Sequence, residues 1–158
     1  MYAKFLPSIL VFLIAAGGTI FGVTARAAHL DQHKVVDGIE VFYGMVPVEI
    51  IRGYPKESAE RQMHGGVPRS AAQHHLMVSL FDAKTKQPIA DAEVKAKVTE
   101  IGLGAQEKKL ERMTLAGTIS YGNYFRMTAP GRYQIAVKIR RSASQRATEV
   151  KFEYSHLR

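Results

Sequence analysis

The stretch Asp91-Ala-Glu-Val-Lys-Ala-Lys-Val-Thr99 alternates apolar and polar residues without interruption. In an extended strand successive side chains point to opposite faces of the sheet. One face of this strand then carries only small apolar side chains, those of Ala92, Val94, Ala96 and Val98. The other face carries charge, from Glu93, Lys95 and Lys97. Such a strand covers a core on one side and meets water on the other, so the stretch predicts an antiparallel sheet.

The same period of two recurs along the chain. It is clear at residues 133–139 and 150–156, and again where Leu76, Val78 and Leu80 form an inward set. His75, Met77, Ser79 and Phe81 then point the other way. Further strands are expected at residues 38–43, 46–51, 108–115 and 119–127. No apolar pattern at helical spacing lasts more than about two turns.

Turn residues separate these runs. They fall at Asp37-Gly38, Gly102-Leu-Gly104, Gly117 and Pro130-Gly131. About seven or eight short strands with such turns are typical of two antiparallel sheets packed face to face. We therefore predict an all-β fold, an immunoglobulin-like antiparallel β-sandwich of about seven or eight strands without its disulfide, because the chain contains no Cys.

Residues 55–73 form the one long segment without a strand pattern. They are rich in polar and charged residues and include Met63-His64-Gly65-Gly66. We expect a long loop with one helical turn at residues 57–63. Loops of this length inside compact domains are usually functional or disordered, so this one is a candidate surface for a partner.

The N-terminal segment has the composition of an export signal. Lys4 provides a positive start, residues 5–23 contain no charge, and Ala25-Arg26-Ala27 is a small-x-small site of the kind that signal peptidase accepts. We expect a signal peptide at residues 1–27 and a single periplasmic β-sandwich domain at residues 28–158. The alternative is a retained membrane anchor, because the uncharged run approaches the roughly 20 residues that cross a bilayer. Three glycines near the end of the run favour cleavage, and no second span follows.

The composition removes several classes of function. The absence of Cys excludes a thiol nucleophile, a zinc finger and a redox motif. No Gly-x-Ser-x-Gly motif surrounds a Ser, and Gly102-Leu-Gly104 lacks the strand-to-helix setting of a phosphate loop. We therefore expect that the protein is not an enzyme.

Histidine and methionine are the most informative residue types. All six His and five of the six Met follow residue 27. Imidazole and thioether ligands without thiolates suit copper, because the soft thioether favours Cu(I). His75 and Met77 share one strand face, and His64 lies in the adjacent loop. The alternative is that the Met residues pack in the core and that the pair His74-His75 is solvated.

Positive charge dominates the sequence, with a formal net charge of +8. The C-terminal third concentrates Arg132, Lys138, Arg140, Arg141, Arg146, Lys151 and Arg158. In an exported protein this pattern favours an anionic partner such as lipid headgroups, polysaccharide or an acidic protein, and argues against nucleic acid. The alternative is that the charge serves solubility.

About half of the chain resembles known bacterial periplasmic β-sandwiches. The segments that carry the resemblance are His75-Leu-Met-Val-Ser-Leu-Phe-Asp82, Thr85-Lys-Gln-Pro-Ile-Ala-Asp-Ala-Glu-Val94, Met113 through Tyr121-Gly122, and Gly131-Arg-Tyr-Gln-Ile-Ala-Val137. In strand order and in the Pro-Ile-x-Asp-Ala-x-Val and Gly-x-Tyr motifs, they resemble the YtkA-like and FixH-like group. They are also similar, more weakly, to the periplasmic family associated with high-affinity iron transport. That family forms immunoglobulin-like sandwiches and carries a copper site beside its iron role.

The second resemblance implies a set of ligands. Met113, upstream of Tyr121-Gly122, matches that family's methionine ligand. Met77 stands where the family has an acidic ligand, and Ser120 stands where it has a histidine. The later His-rich segment of the family has no counterpart here. These departures imply a softer site, suited to Cu(I), made by His75, Met77 and Met113 with His64 from the loop.

The residues and the resemblance together predict a non-catalytic periplasmic protein that handles a transition metal, copper or iron, with copper as its cofactor. The alternative is a metal-free interaction module that accompanies a membrane-bound periplasmic protein. The sequence leaves open which metal is bound and whether the protein forms a homodimer.

Overall fold

Eight β-strands make up most of the described structure, a computed structural model that covers residues 31–115, 117–142 and 146–157. The expected signal peptide, residues 1–27, lies outside these ranges. The strands are β1 (His33–Val36), β2 (Ile39–Pro47), β3 (Gln73–Asp82), β4 (Ala92–Glu100), β5 (Gly104–Leu115), β6 (Thr118–Arg126), β7 (Gly131–Arg141) and β8 (Thr148–His156). The predicted all-β antiparallel sandwich is confirmed.

The strands follow one another in the order β1-β2-β3-β6-β5-β4-β7-β8, with every neighbouring pair antiparallel. Strand β5 belongs to two sheets. Its residues 104–110 pair with β4, and its residues 111–115 pair with β6. We call β1, β2, β3, β6 and the second half of β5 the first sheet, and the first half of β5 with β4, β7 and β8 the second sheet.

The core lies between the two sheets and is built from the alternating residues of each strand. Leu76, Val78 and Leu80 of the first sheet are fully buried. The second sheet adds Val94, Ala96, Val98, Tyr133, Ile135, Val137, Ile139, Val150 and Phe152. Each large aliphatic side chain buried in this way contributes about 1.5–3 kcal/mol. The inward set on β3 and the alternation on β4 and β7 are therefore as the sequence predicts.

The first and last strands in the order come together at the open side of the sandwich. Nζ of Lys34 on β1 donates to the carbonyl of Lys151 on β8 at 2.7 Å. The hydroxyl of Thr148 donates to the carboxylate of Asp37, in the β1–β2 turn, at 2.9 Å. These contacts nearly close the sandwich into a barrel.

The strand expected at residues 46–51 is wrong from Val48 onward. Strand β2 ends at Pro47, and helix α1 (Val48–Arg52) follows. Pro47 has no N–H to donate to a further ladder position. Val48 and Ile51, three residues apart, both become buried on one helix face. Glu49 in the first turn and Arg52 in the last turn also favour the helix.

Two short helical pieces occupy the segment that carries no strand pattern. Helix α2 (Ala59–Gln62) lies within the helical turn expected at residues 57–63, and a 3₁₀ turn (Met63–Gly65) follows it directly. Among the residues that the structure describes, no helix is both long and apolar enough to span a membrane.

Candidate metal centre

The outward face of the first sheet is partly covered by the segment that joins β2 to β3. Val48 and Ile51 of α1 pack against Tyr124 of β6 and form a second, small hydrophobic cluster with Val46 and Val67. The covered face therefore excludes water from side chains that would otherwise be exposed on an outward sheet face.

His75 lies under this cover, in the middle of the face. It stands opposite Tyr124 across the β3–β6 ladder, and the centroids of the two rings are 4.9 Å apart. Only 1% of the residue is exposed. Burial, with a smaller contribution from neighbouring His64, lowers the pKa of His75 to about 4. The imidazole is therefore neutral near pH 7, the form in which it binds metals.

His64 approaches His75 from the 3₁₀ turn. Its backbone has the left-handed values φ 54° and ψ 33°, and Gly65 and Gly66 after it also have positive φ. A left-handed conformation is uncommon for a residue with a side chain and often marks a functional position. The turn brings Nε2 of His64 to 2.9 Å from Nε2 of His75.

Glu111 of β5 fixes the orientation of the His64 ring. Nδ1 of His64 donates to the Glu111 carboxylate at 2.8 Å. With Nδ1 of His64 as the donor to Glu111, its Nε2 can accept the Nε2–H of His75, which places one proton between the two Nε2 atoms. A metal ion in the place of this proton would be held by the two imidazole nitrogens. A carboxylate behind a ligating imidazole is the usual support of a metal-bound histidine.

Gly122 of β6 forms the floor beneath these side chains. A Cβ placed on Gly122 would lie 2.8 Å from Nε2 of His75 and 2.9 Å from the terminal methyl of Met113. It would also lie 3.0 Å from the carbonyl oxygen of Leu76. Nε2 of His75 and the methyl of Met113 therefore both lie over the glycine, in space that any other residue would fill.

Met113 completes the group with a thioether. Only 8% of the residue is exposed, yet it belongs to neither hydrophobic cluster of the described structure. Its partner across the β5–β6 ladder is Ser120, whose hydroxyl bonds to Ser79 at 2.8 Å. The Met113 side chain is thus buried beside imidazole and backbone rather than in the apolar core.

Met77 shares the face but turns away from this group. Its cross-strand partners are Gly44 on one side and Gly122 on the other. Its terminal methyl lies 3.6 Å from the place of a Cβ on Gly44, toward β2. Of the four residues predicted for the site, the structure brings together His64, His75 and Met113 and leaves Met77 beside them.

Glu111 and Gly122 were not among the predicted site residues. The alternation of β5 carries a signal for Glu111, because it stands two residues before Met113 and so shares its face. The sequence carries no such signal for Gly122, because its role depends on the side chains that the fold places over it. In the described ranges, no group of three or more His, Cys, Asp or Glu side chains is placed to hold a metal ion, so a site here depends on the thioether.

His74 does not belong to the candidate metal centre. The predicted alternative of a solvated His74-His75 pair is wrong, because both residues are buried. His74 points into the sandwich, where its ring centroid lies 4.7 Å from that of His156 on β8. Burial first, and the neighbouring His156 second, lower its pKa.

Comparisons with known proteins show a similar fold at low sequence identity. A DUF4426 family protein from Pseudomonas aeruginosa PAO1 aligns over 78% of this chain and 92% of its own, with 15% identity and a TM-score of 0.63. A copper-bound variant of FetP from uropathogenic Escherichia coli strain F11 aligns over 79% and 93%, with 15% identity and a TM-score of 0.60. The copper-reconstituted P19 protein of Campylobacter jejuni aligns over 80% and 94%, with 13% identity and a TM-score of 0.61.

No family model matches the chain, and no curated protein matches it significantly in sequence. The copper-bound neighbours agree, at the level of fold, with the weaker resemblance to the copper-site family. The resemblance to the YtkA-like and FixH-like group stays a prediction.

Proposed function

We propose that the protein is a non-catalytic, periplasmic copper-handling protein that binds one Cu(I) ion through His64, His75 and Met113. The observation that carries the proposal is the approach of two imidazole Nε2 atoms to 2.9 Å, with the methyl end of the buried Met113 side chain over Gly122 beside His75. Two solved neighbours of the same fold contain copper, which supports the choice of metal.

Ligand chemistry favours copper over iron. A thioether is a soft ligand that selects Cu(I), whereas carboxylate and other oxygen ligands suit harder ions. Glu111 contributes the carboxylate that contacts the group, and it is bonded to the far nitrogen of His64. Its place is behind the ligand, where it orients the ring and increases the basicity of the imidazole. Iron handling is therefore the less favoured form of the proposal.

The test is a Cu(I) titration of the metal-free protein against a chromophoric competitor. We expect one Cu(I) per chain, and an affinity that falls about tenfold or more in Met113→Leu and in His64→Gln. His33→Gln on β1 and Met127→Leu in the core are matched controls, since neither residue lies at the site, and they should leave the affinity unchanged. Equal affinities in all four variants would contradict the proposal.

Met77 is tested in the same titration. Because its methyl lies toward Gly44, we expect Met77→Leu to change Cu(I) affinity less than Met113→Leu does. A larger loss in Met77→Leu would make Met77 the thioether ligand in place of Met113. In a parallel titration with Fe(III), we expect no binding of one ion per chain, in contrast to Cu(I).

Exposed apolar residues on α1 favour a second candidate function, contact with a membrane-bound partner protein. Ile50 is 53% exposed and Tyr54, just after the helix, is 43% exposed. A photo-crosslinking residue at Ile50, in cells that export the protein, should capture a membrane protein that the same residue at exposed Lys84 does not. Identical crosslinks at both positions would remove this candidate.

A further inference from the structure

The outward face of the second sheet carries lysines in an unfavourable register. Lys109 of β5, Lys95 of β4 and Lys138 of β7 stand directly opposite one another across three neighbouring strands. All three side chains are exposed. Like charges placed directly opposite each other across a ladder destabilise a sheet. Glu149 of β8 stands opposite Lys138, and Nζ of Lys95 lies 3.5 Å from Glu93, so nearby carboxylates offset part of this repulsion.

A hollow lies beside this row, and Ala136 is among its lining residues. Ala136 stands between Lys97 of β4 and Lys151 of β8, and its short side chain leaves a dip between them. The hollow has a volume of about 310 Å³. Its charged lining residues are Lys95, Lys97, Lys138, Lys151, Glu107 and Glu149. Four lysines against two glutamates leave an excess of two positive charges. We call this place the lysine hollow.

Part of this positive charge has no ion-pair partner in the part of the chain that the structure describes. Nζ of Lys95 lies 3.5 Å from Glu93, and Nζ of Lys151 lies 3.5 Å from Glu149. Within the described ranges, neither Lys97 nor Lys138 forms an ion pair. The ammonium groups of Lys97, opposite Ala136 on β4, and of Lys138, two residues after Ala136 on β7, therefore remain available to a ligand.

We propose that the lysine hollow binds a small multivalent oxyanion of the phosphate type from solution. The excess of two positive charges matches a ligand of two or more negative charges. Ammonium groups on flexible stems bind phosphate as adjustable point charges. The lining also offers Thr99 and Gln134, whose side chains donate hydrogen bonds, and no large apolar residue of the kind that enters a lipid surface.

The lysine hollow and the candidate metal centre lie on opposite outward faces of the sandwich, with the core between them. The inference does not rest on the proposed copper function. A protein that binds no metal can still bind the anion, and the reverse also holds. The two proposals therefore fail separately.

The test uses inorganic pyrophosphate and the metal-stripped protein, so that chelation of a metal by pyrophosphate cannot produce the signal. Isothermal titration at low salt should show saturable binding of one pyrophosphate per chain. The double variant Lys97→Gln, Lys138→Gln should bind about tenfold more weakly, because it removes two charged contacts. Ala136→Glu, which places a negative charge in the hollow, should abolish binding and serves if the double variant does not fold.

The matched control is Lys56→Gln, Lys84→Gln, which removes the same charge from exposed positions outside the hollow. It should keep the affinity of the unaltered protein. An equal loss in this control would overturn the proposal, because net charge alone would then explain binding. Absence of saturable binding would also overturn it, as would binding to vesicles that contain phosphatidylglycerol without binding to pyrophosphate.

Discussion

At the scale of single residues, Gly122 decides how much space the candidate metal centre has. Any Cβ there lies within 3.0 Å of His75, Met113 and the Leu76 carbonyl. Side chains move more easily than backbone, so the clash with the carbonyl is the hardest to relieve. The site therefore depends on a residue that binds nothing itself.

We expect Gly122→Ala to destabilise the protein by about 1–3 kcal/mol, the usual cost of overpacking, and to abolish Cu(I) binding. Urea unfolding of the metal-free protein and the Cu(I) titration measure the two effects. Gly44→Ala is the matched control, because its nearest neighbour is the Met77 methyl at an ordinary 3.6 Å. If both variants have the same stability, the close packing of His75, Met113 and the Leu76 carbonyl against Gly122 is contradicted.

His75 links stability to pH. Its pKa is about 4 when folded, below the ordinary value of 6.5, so the unfolded chain binds the proton more tightly. Its contribution to stability is then fully present above about pH 6.5 and is lost as pH falls toward 4. The full loss is about 3 kcal/mol. The lowered pKa of His74 acts in the same direction.

Urea unfolding of the metal-free protein between about pH 7 and pH 4.5 should therefore show falling stability. His75→Gln keeps an amide donor at the position but cannot titrate there, so its stability should change less over the same range. A pH dependence that is identical in His75→Gln would show that His75 is not the group responsible.

At the scale of elements, α1 holds the cover over the candidate metal centre. Ile51 is 2% exposed and packs against Tyr124, whereas Ile50 beside it is 53% exposed. We expect Ile51→Ala to cost about 2–5 kcal/mol of stability, as buried Ile→Ala changes do. Ile50→Ala should change stability by no more than about 0.5 kcal/mol. Equal unfolding midpoints in urea would mean that α1 does not pack as described.

The elements differ in how well their sequences predict them. Strand β4 is predictable because its period of two extends over nine residues and nothing interrupts it. Helix α1 is not, because five residues are too few to show a helical period, and the contact of Ile51 with Tyr124 decides the outcome. The sequence also does not predict where β5 passes from one sheet to the other. The passage falls between Leu110 and Glu111, where the alternation of side chains continues unchanged, so tertiary contacts determine it.

The candidate site could be predicted only in part for the same reason. The shared face of His75 and Met77 follows from the strand period, but the direction in which the Met77 side chain turns does not. His64 reaches His75 through a left-handed backbone and two glycines, a shape that the pattern of the loop does not reveal. Its place in the predicted set rests on its nearness in sequence, and the structure places its Nε2 2.9 Å from Nε2 of His75.

At the scale of the whole molecule, the copper proposal requires export. In a Gram-negative host that exports the full-length chain, we expect an intact mass that corresponds to residues 28–158, because Ala25-Arg26-Ala27 precedes the cut. Mass spectrometry of the periplasmic fraction measures it. A membrane-bound product with the full-length mass would show that residues 1–27 are retained as an anchor.

Strand β5 gives the molecule a further property. Its second half carries Glu111 and Met113 to the candidate metal centre, and its first half carries Glu107 and Lys109 to the opposite surface. Because side chains alternate along a strand, one inserted or deleted residue in β5 would invert the faces beyond it. A shift within β5 therefore affects both surfaces together, although the core separates them.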